Sequence, residues 1–182
     1  MKEGQKKKAT ISDMELKQQG PSSYYEGATG FQAHHMLQKQ WANANLGAYG
    51  YGQKQAPTIS LGTGPMGVDS NGNIIYGPHN TASVAQTERF WNRGGNGNYY
   101  STLNSELAFG ATDMLRAGMS EGLVMSELER NYAMIDALNA QNSAKIQSGD
   151  LDLLEYDRAA IVKLVHDYSG ELERERMLQL NC

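Results

Sequence analysis

The chain has 182 residues, with 16 Lys and Arg against 20 Asp and Glu for a formal net charge of −4. That length suits one domain, or a small domain with a long arm, and no run approaches the ~18 consecutive apolar residues of a membrane span. The basic start, residues 1–8, has no apolar stretch behind it, which argues against a secretory signal. The single cysteine, Cys182, rules out an internal disulfide framework and a thiolate zinc cluster.

Charge and punctuation divide the chain. Residues 1–20 carry Lys2, Lys6, Lys7, Lys8 and Lys17 against three acids, residues 21–101 sum to +1, and residues 102–182 sum to −7. All four prolines, thirteen of the twenty glycines and seven of the ten tyrosines fall in 21–101, so that stretch has aromatic weight on adaptable backbone but little aliphatic bulk. Such a segment must lean on its own helices, other copies or another protein. The expected organisation is a flexible basic tail (1–20), an extended Gly/Asn/Tyr-rich interaction region (21–101) and a helical domain (102–182). The fold class is mainly α: a series of three helical hairpin elements behind an irregular arm with one helix and a short β-hairpin.

In chain order, residues 31–46 carry an apolar series (Phe31, His34/His35, Leu37, Trp41, Ala44) that predicts one helix. Residues 48–55 are too glycine-rich for a helix. Thr58-Ile59-Ser60-Leu61 alternates like a short strand, and Asn71-Gly72 before Ile74-Ile75-Tyr76 predicts a hairpin turn. Residues 94–100 form a loop. A helix over about 102–117 would bury Leu103, Leu107, Ala111, Met114 and Leu115. The stripe Met125, Leu128, Tyr132, Ile135 and Leu138 or Asn139 predicts a second helix, with a Ser126/Glu129 capping box and an end before Gly149. Asp150 is expected to cap a third, with Leu151, Leu154, Ile161, Leu164/Val165, Tyr168 and Leu172 inward and a break or bend at Gly170.

Motifs with chemical meaning are sparse. Residues 62–67 fit G-x-G-x-x-G, but no helix start or βαβ pattern follows, so a loop is expected. Asp69, Asn71 and Asn73 lack the glycine and glutamate positions of a calcium loop. His34 and His35 are adjacent and on a helix would point about 100° apart, and His79 and His166 have no carboxylate or thiol at ligand spacing. No catalytic, metal or cofactor site is therefore assigned. Asp150, Asp152, Glu155 and Asp157 are expected to be a solvated helix start. Two surfaces remain. Trp41, Tyr49, Tyr51, Tyr76, Phe90, Trp91, Tyr99 and Tyr100 are the candidate interface, because Trp, Tyr and Arg dominate binding hot spots. Lys6, Lys7 and Lys8 with Arg89 and Arg93 are the candidate nucleic-acid contacts, where cations meet phosphates and the flanking aromatics stack on bases.

Residues 111–138 (Ala-Thr-Asp-Met-Leu-Arg-Ala-Gly-Met-Ser-Glu-Gly, continuing to Ala-Leu) resemble the small internal core or ejection proteins of short-tailed bacteriophages, in which an Arg-Ala helix, a Ser/Gly-rich turn and a polar helix recur. The resemblance implies a non-enzymatic, minor structural component of a virus particle. It would assemble with identical copies and other structural proteins, in the virion and, during assembly, the host cytoplasm. The alternative is a nucleic-acid-associated protein using the basic amino terminus and the Arg/aromatic cluster. Neither implies a cofactor.

Overall fold

The computed structural model describes residues 31–54, 56–62, 67–68, 71–75, 77–92, 94–95, 97 and 99–180. Among them the chain is mainly helical. Strand β1 (Phe31–His34) leads to helix α1 (Lys39–Leu46) and one 3-10 turn (Gly47–Tyr49). Strands β2 (Ile59–Gly62), β3 (Gly67–Val68) and β4 (Ile74–Ile75) come next. Helices α2 (Pro78–Asn92), α3 (Leu103–Arg116), α4 (Glu121–Gln141), α5 (Ser143–Ser148) and α6 (Arg158–Leu180) complete the order.

The expected helix over 31–46 divides. Its first four residues are extended and pair antiparallel with β2, Phe31 opposite Gly62 and His34 opposite Ile59. A non-local backbone ladder has overridden a local spacing that suits a helix. Only from Lys39 does the chain coil, burying Trp41, Ala42 and Leu46. The strand expected at 58–61 is β2. The Asn71-Gly72 turn lies between β3 and β4, with Gly72 at φ +82°, a left-handed conformation that favours glycine. The expected two-residue hairpin is therefore not what forms, since five residues separate Val68 from Ile74.

Helix α2 is absent from the sequence-based expectation. Pro78 is its first residue, where a fixed φ and a missing N–H suit a helix start rather than a break. Helix α3 appears where expected, and the Thr102 hydroxyl accepts from Ser105 N–H at 3.2 Å. Helix α4 begins earlier than expected. Gly118, at φ +93°, closes α3, and the Ser120 hydroxyl accepts from Leu123 N–H at 3.4 Å. The break at Asn142 separates α5, and Gly149 (φ +80°) ends it.

The third expected helix is corrected most. Residues 150–157 are not helical. Asn139 of α4 binds Leu154 through both backbone groups, at 2.9 and 3.0 Å, and holds this segment extended. Asp157, not Asp150, caps α6 by accepting from Ala160 N–H at 2.9 Å. Helix α6 then runs unbroken through Gly170.

A single apolar cluster joins both halves: Met36, Leu37, Trp41, Leu46, Ile59, Leu61 and Ala82 share it with Leu107, Met114, Leu128, Ile135 and Val165. Thus the aliphatic bulk that residues 31–92 lack comes from α3, α4 and α6. No helix among the described residues is long and apolar enough to cross a membrane.

Candidate active site at the strand–helix junction

Helix α2 packs against both strands of the β1–β2 pair. This brings His34, the last residue of β1, to His79, in the first turn of α2. The two rings meet edge to face with centroids 5.6 Å apart. Forty-five residues separate them in sequence, and only the fold makes them neighbours.

His34 is buried. Burial, with the positive ends of His79, His35 and Arg89 nearby, drives its pKa down to about 3, so the ring is neutral across the physiological range. Gln86 lies two helical turns beyond His79 on the same face of α2. Its Nε2 stands 3.3 Å from His34 Nε2, 3.0 Å from the His35 carbonyl and 3.4 Å from the Met36 carbonyl. It therefore tethers the end of β1 to α2. His79 is also lowered by burial, against an opposing pull from the Asn80 side chain, and its Nδ1 is buried without a hydrogen bond of good geometry among the described residues.

His35 follows β1 and is half-buried. Its Nδ1–H donates to the Pro57 carbonyl at 3.2 Å. A backbone carbonyl at Nδ1 fixes the tautomer and leaves the Nε2 lone pair to accept a proton. Burial lowers its pKa, the Pro57 carbonyl opposes that fall, and Lys39 adds to it. A base whose pKa lies below its ordinary value stays unprotonated at neutral pH.

Neutral imidazoles are metal ligands for borderline cations such as Zn²⁺, Ni²⁺ and Co²⁺. The facing pair does not fit such an ion: His34 Nε2 accepts from the Gln86 amide, so its other ring nitrogen carries the proton and offers no lone pair. Among the described residues no group of three or more His, Cys, Asp or Glu is placed to hold a metal. Sequence spacing excluded a metal shared by His34 and His35; it did not consider His34 with His79.

The other predicted site residues scatter. Trp41 is buried and donates from its indole to the Ser101 carbonyl at 3.0 Å. Tyr49 is buried, its hydroxyl donating to the Asp152 carbonyl at 2.7 Å. Phe90 is buried and Tyr51 and Tyr99 pack on the core; Trp91 and Tyr100 alone are well exposed, at 66% and 85%. Arg89 turns inward, 2.5 Å from Asp113 and over the Phe109 ring. It lines a cleft of about 380 Å³ between α2, α3 and α6. Tyr76, Arg93, Lys6, Lys7 and Lys8 lie outside the described residues.

No curated protein and no solved structure matches the chain. A family model does match residues 28–136: Tox-SHH, described as an HNH/Endo VII superfamily toxin with a SHH signature. The matched span contains His34-His35, the only adjacent histidine pair in the sequence. This match overturns the expectation of a phage virion component and of a protein that is not an enzyme, since toxins of this superfamily are typically nucleases. The segment that suggested a virion protein, 111–138, is two helices and a glycine turn, a pattern that many helical domains share. The matched span covers well over half of the sequence and contains the whole histidine cluster, and the chain belongs to the Tox-SHH family of HNH/Endo VII superfamily toxins.

Proposed function

We propose that this protein is a nuclease toxin domain that hydrolyses phosphodiester bonds in nucleic acid, with His35 as general base and His79, braced by the buried His34, facing the scissile phosphate. One observation carries the reading: two histidines meet ring against ring at 5.6 Å where β1 meets α2, and the residue next to one of them, His35, has its ring held by a backbone carbonyl.

The chemistry follows from the protonation states. His35 Nε2 accepts a proton from water, the resulting hydroxide oxygen bonds to phosphorus, and the bond to the leaving sugar oxygen breaks. That oxygen takes a proton from solvent, so one phosphodiester and one water give a phosphomonoester and an alcohol. His79 faces the scissile phosphate, and His34 packs edge to face against its ring. Burial keeps both rings neutral, and the Gln86 contacts fix the backbone on which His34 and His35 stand.

The test is cleavage of plasmid DNA, single-stranded DNA and RNA by purified protein in Mg²⁺, Mn²⁺, Ni²⁺ or Zn²⁺, compared with His35→Ala and His79→Ala. Each variant should lose about 10²–10⁴-fold in rate while melting close to the parent. Undiminished cleavage by both variants would overturn the assignment.

A further inference from the structure

The hydrogen bond that orients His35 depends on where the Pro57 carbonyl points. Proline fixes its own φ and has no N–H. The carbonyl direction is therefore set by ψ of Pro57, which means by how Thr58 is held. Thr58 is almost fully buried, at 1% exposure. Its own carbonyl accepts from Arg130 Nη1 of α4 at 3.0 Å, across 72 residues of sequence. The same nitrogen pairs with Glu127 Oε2 at 2.9 Å. Glu127 is buried in turn, and Asn131 Nδ2 reaches its backbone oxygen at 2.9 Å and its carboxylate at 3.4 Å.

We infer that Glu127 and Arg130 are positioning residues for the reaction: they clamp the Pro57–Thr58 segment from α4 so that the Pro57 carbonyl meets His35 Nδ1–H. This rests on the reading of His35 as the base. Two considerations favour it over a purely structural pair. A buried ion pair is poor evidence for stability, since desolvation of both charges offsets their attraction and well-packed apolar residues often do as well. Here the cation that pairs with Glu127 also donates to the Thr58 carbonyl, which follows directly on the carbonyl that holds His35. The span shared with the family, 28–136, also takes in both ends of the linkage.

The experiment is a side-chain NMR titration of the histidines in the full chain, parent against Glu127→Gln/Arg130→Met, with thermal melting as the check on folding. The double variant removes both charges, so no lone ion is left buried. Releasing the Pro57 carbonyl removes the one influence that raises the His35 pKa. The His35 midpoint should therefore fall by about half a pH unit or more and its ring should show mixed tautomers, while His79 titrates as in the parent. On a substrate that the parent cleaves, kcat should fall about 10- to 100-fold with KM within about twofold.

A folded double variant whose His35 midpoint and tautomer match the parent overturns the clamp, whatever its activity. Where the double variant does not fold, Arg130→Gln alone, whose side chain is too short for the Thr58 carbonyl, must show the same fall in the His35 midpoint, and an unmoved midpoint overturns the clamp there too. His35→Ala cleaving like the parent would instead remove the base assignment, a failure that the titration keeps separate.

Discussion

The two halves of the molecule bury polar groups for different ends. Between β1 and α2 the buried or half-buried polar side chains are neutral, His34, His79 and Gln86, and converge on one point. In the helical half Asn131 and Asn142 are buried beside three carboxylates, Glu106, Asp113 and Glu127. Each of these carboxylates is tied, directly or through one arginine, to the amino-terminal half. Glu106 accepts from the Ser101 hydroxyl at 2.5 Å, Asp113 pairs with Arg89 of α2 at 2.5 Å, and Glu127 pairs with the arginine that holds Thr58. The lesson is a division of labour. The first half carries chemistry on short elements that cannot close a core, and the helices supply both the apolar bulk and the ionic fastenings.

The closest fastening is steric, and breaking it should have the largest effect. Gly110 of α3 lies against the peptide after the histidine pair: a Cβ there would meet the Met36 carbonyl oxygen at 2.4 Å and Met36 Cγ at 2.5 Å. Neither neighbour can yield without moving the chain next to His35. Gly110→Ala should lower unfolding free energy by about 2 kcal/mol in urea titrations, overpacking outweighing the helix propensity gained. It should also lower cleavage more than an Ile135→Val variant of similar stability, because it displaces the site as well as the core. Equal activity losses in the two would mean that α3 does not set the position of the histidines.

Protonation sharpens the comparison, because the two halves should respond to pH in opposite senses. The His34 pKa is lowered in the fold, from 6.5 to about 3, so its contribution is fully present above pH 6.5 and is lost as pH falls toward 3. The Glu127 pKa is raised by burial, from 4.5 to about 7 against the opposing pull of Arg130, so its contribution is present below pH 4.5 and is lost as pH rises through 7. Between about pH 4.5 and 6.5 the two slopes oppose each other. Urea titrations from pH 4 to 7.5 should show Glu127→Gln gaining on the parent as pH rises through this window. His34→Asn should instead lose ground over the same rise, while the lowered His35 and His79 add the same slope to both curves. Parallel curves for parent and both variants would show that neither burial persists in solution.

How much of this was legible in the sequence follows the same division. The helical half announces itself: the stripe Leu128, Tyr132, Ile135 and Leu138 is buried as its spacing implies. Its boundaries were less legible, because Asp150 with Leu151 and Leu154 imitates a capped helix. Nothing local reveals that Asn139 will seize Leu154 and hold the chain extended. In the first half, β2 and the Gly72 turn were legible because alternation and positive φ are local properties. Helix α2 was not. Its inner face carries His79, Gln86 and Arg89, so the amphipathic pattern that marks a helix is hidden by the polar residues that make it a site. The histidine pair is visible, but helical geometry would point its rings apart, and β1 is not helical. Its partner His79 could be found only by folding the chain. Pro78 at a helix start was the one available hint.

The smallest expected effect repeats the Gly110 substitution in α6, where its sign should reverse. Gly170 lies within α6, beyond the family-matched span, and a Cβ there would meet nothing within 4 Å. Glycine in a helix interior costs roughly 0.5–1 kcal/mol relative to alanine, because the unfolded chain has more freedom to lose. Gly170→Ala should therefore raise stability by somewhat less than 1 kcal/mol and leave cleavage unchanged, as measured by urea titration and turnover on one protein sample. The same added methyl group thus separates the two settings: in α3 it strikes the backbone beside the histidines, whereas in α6 it only stiffens a helix. A destabilised Gly170→Ala variant would restore the sequence-based expectation of a bend at this glycine and would deny that α6 is one continuous helix.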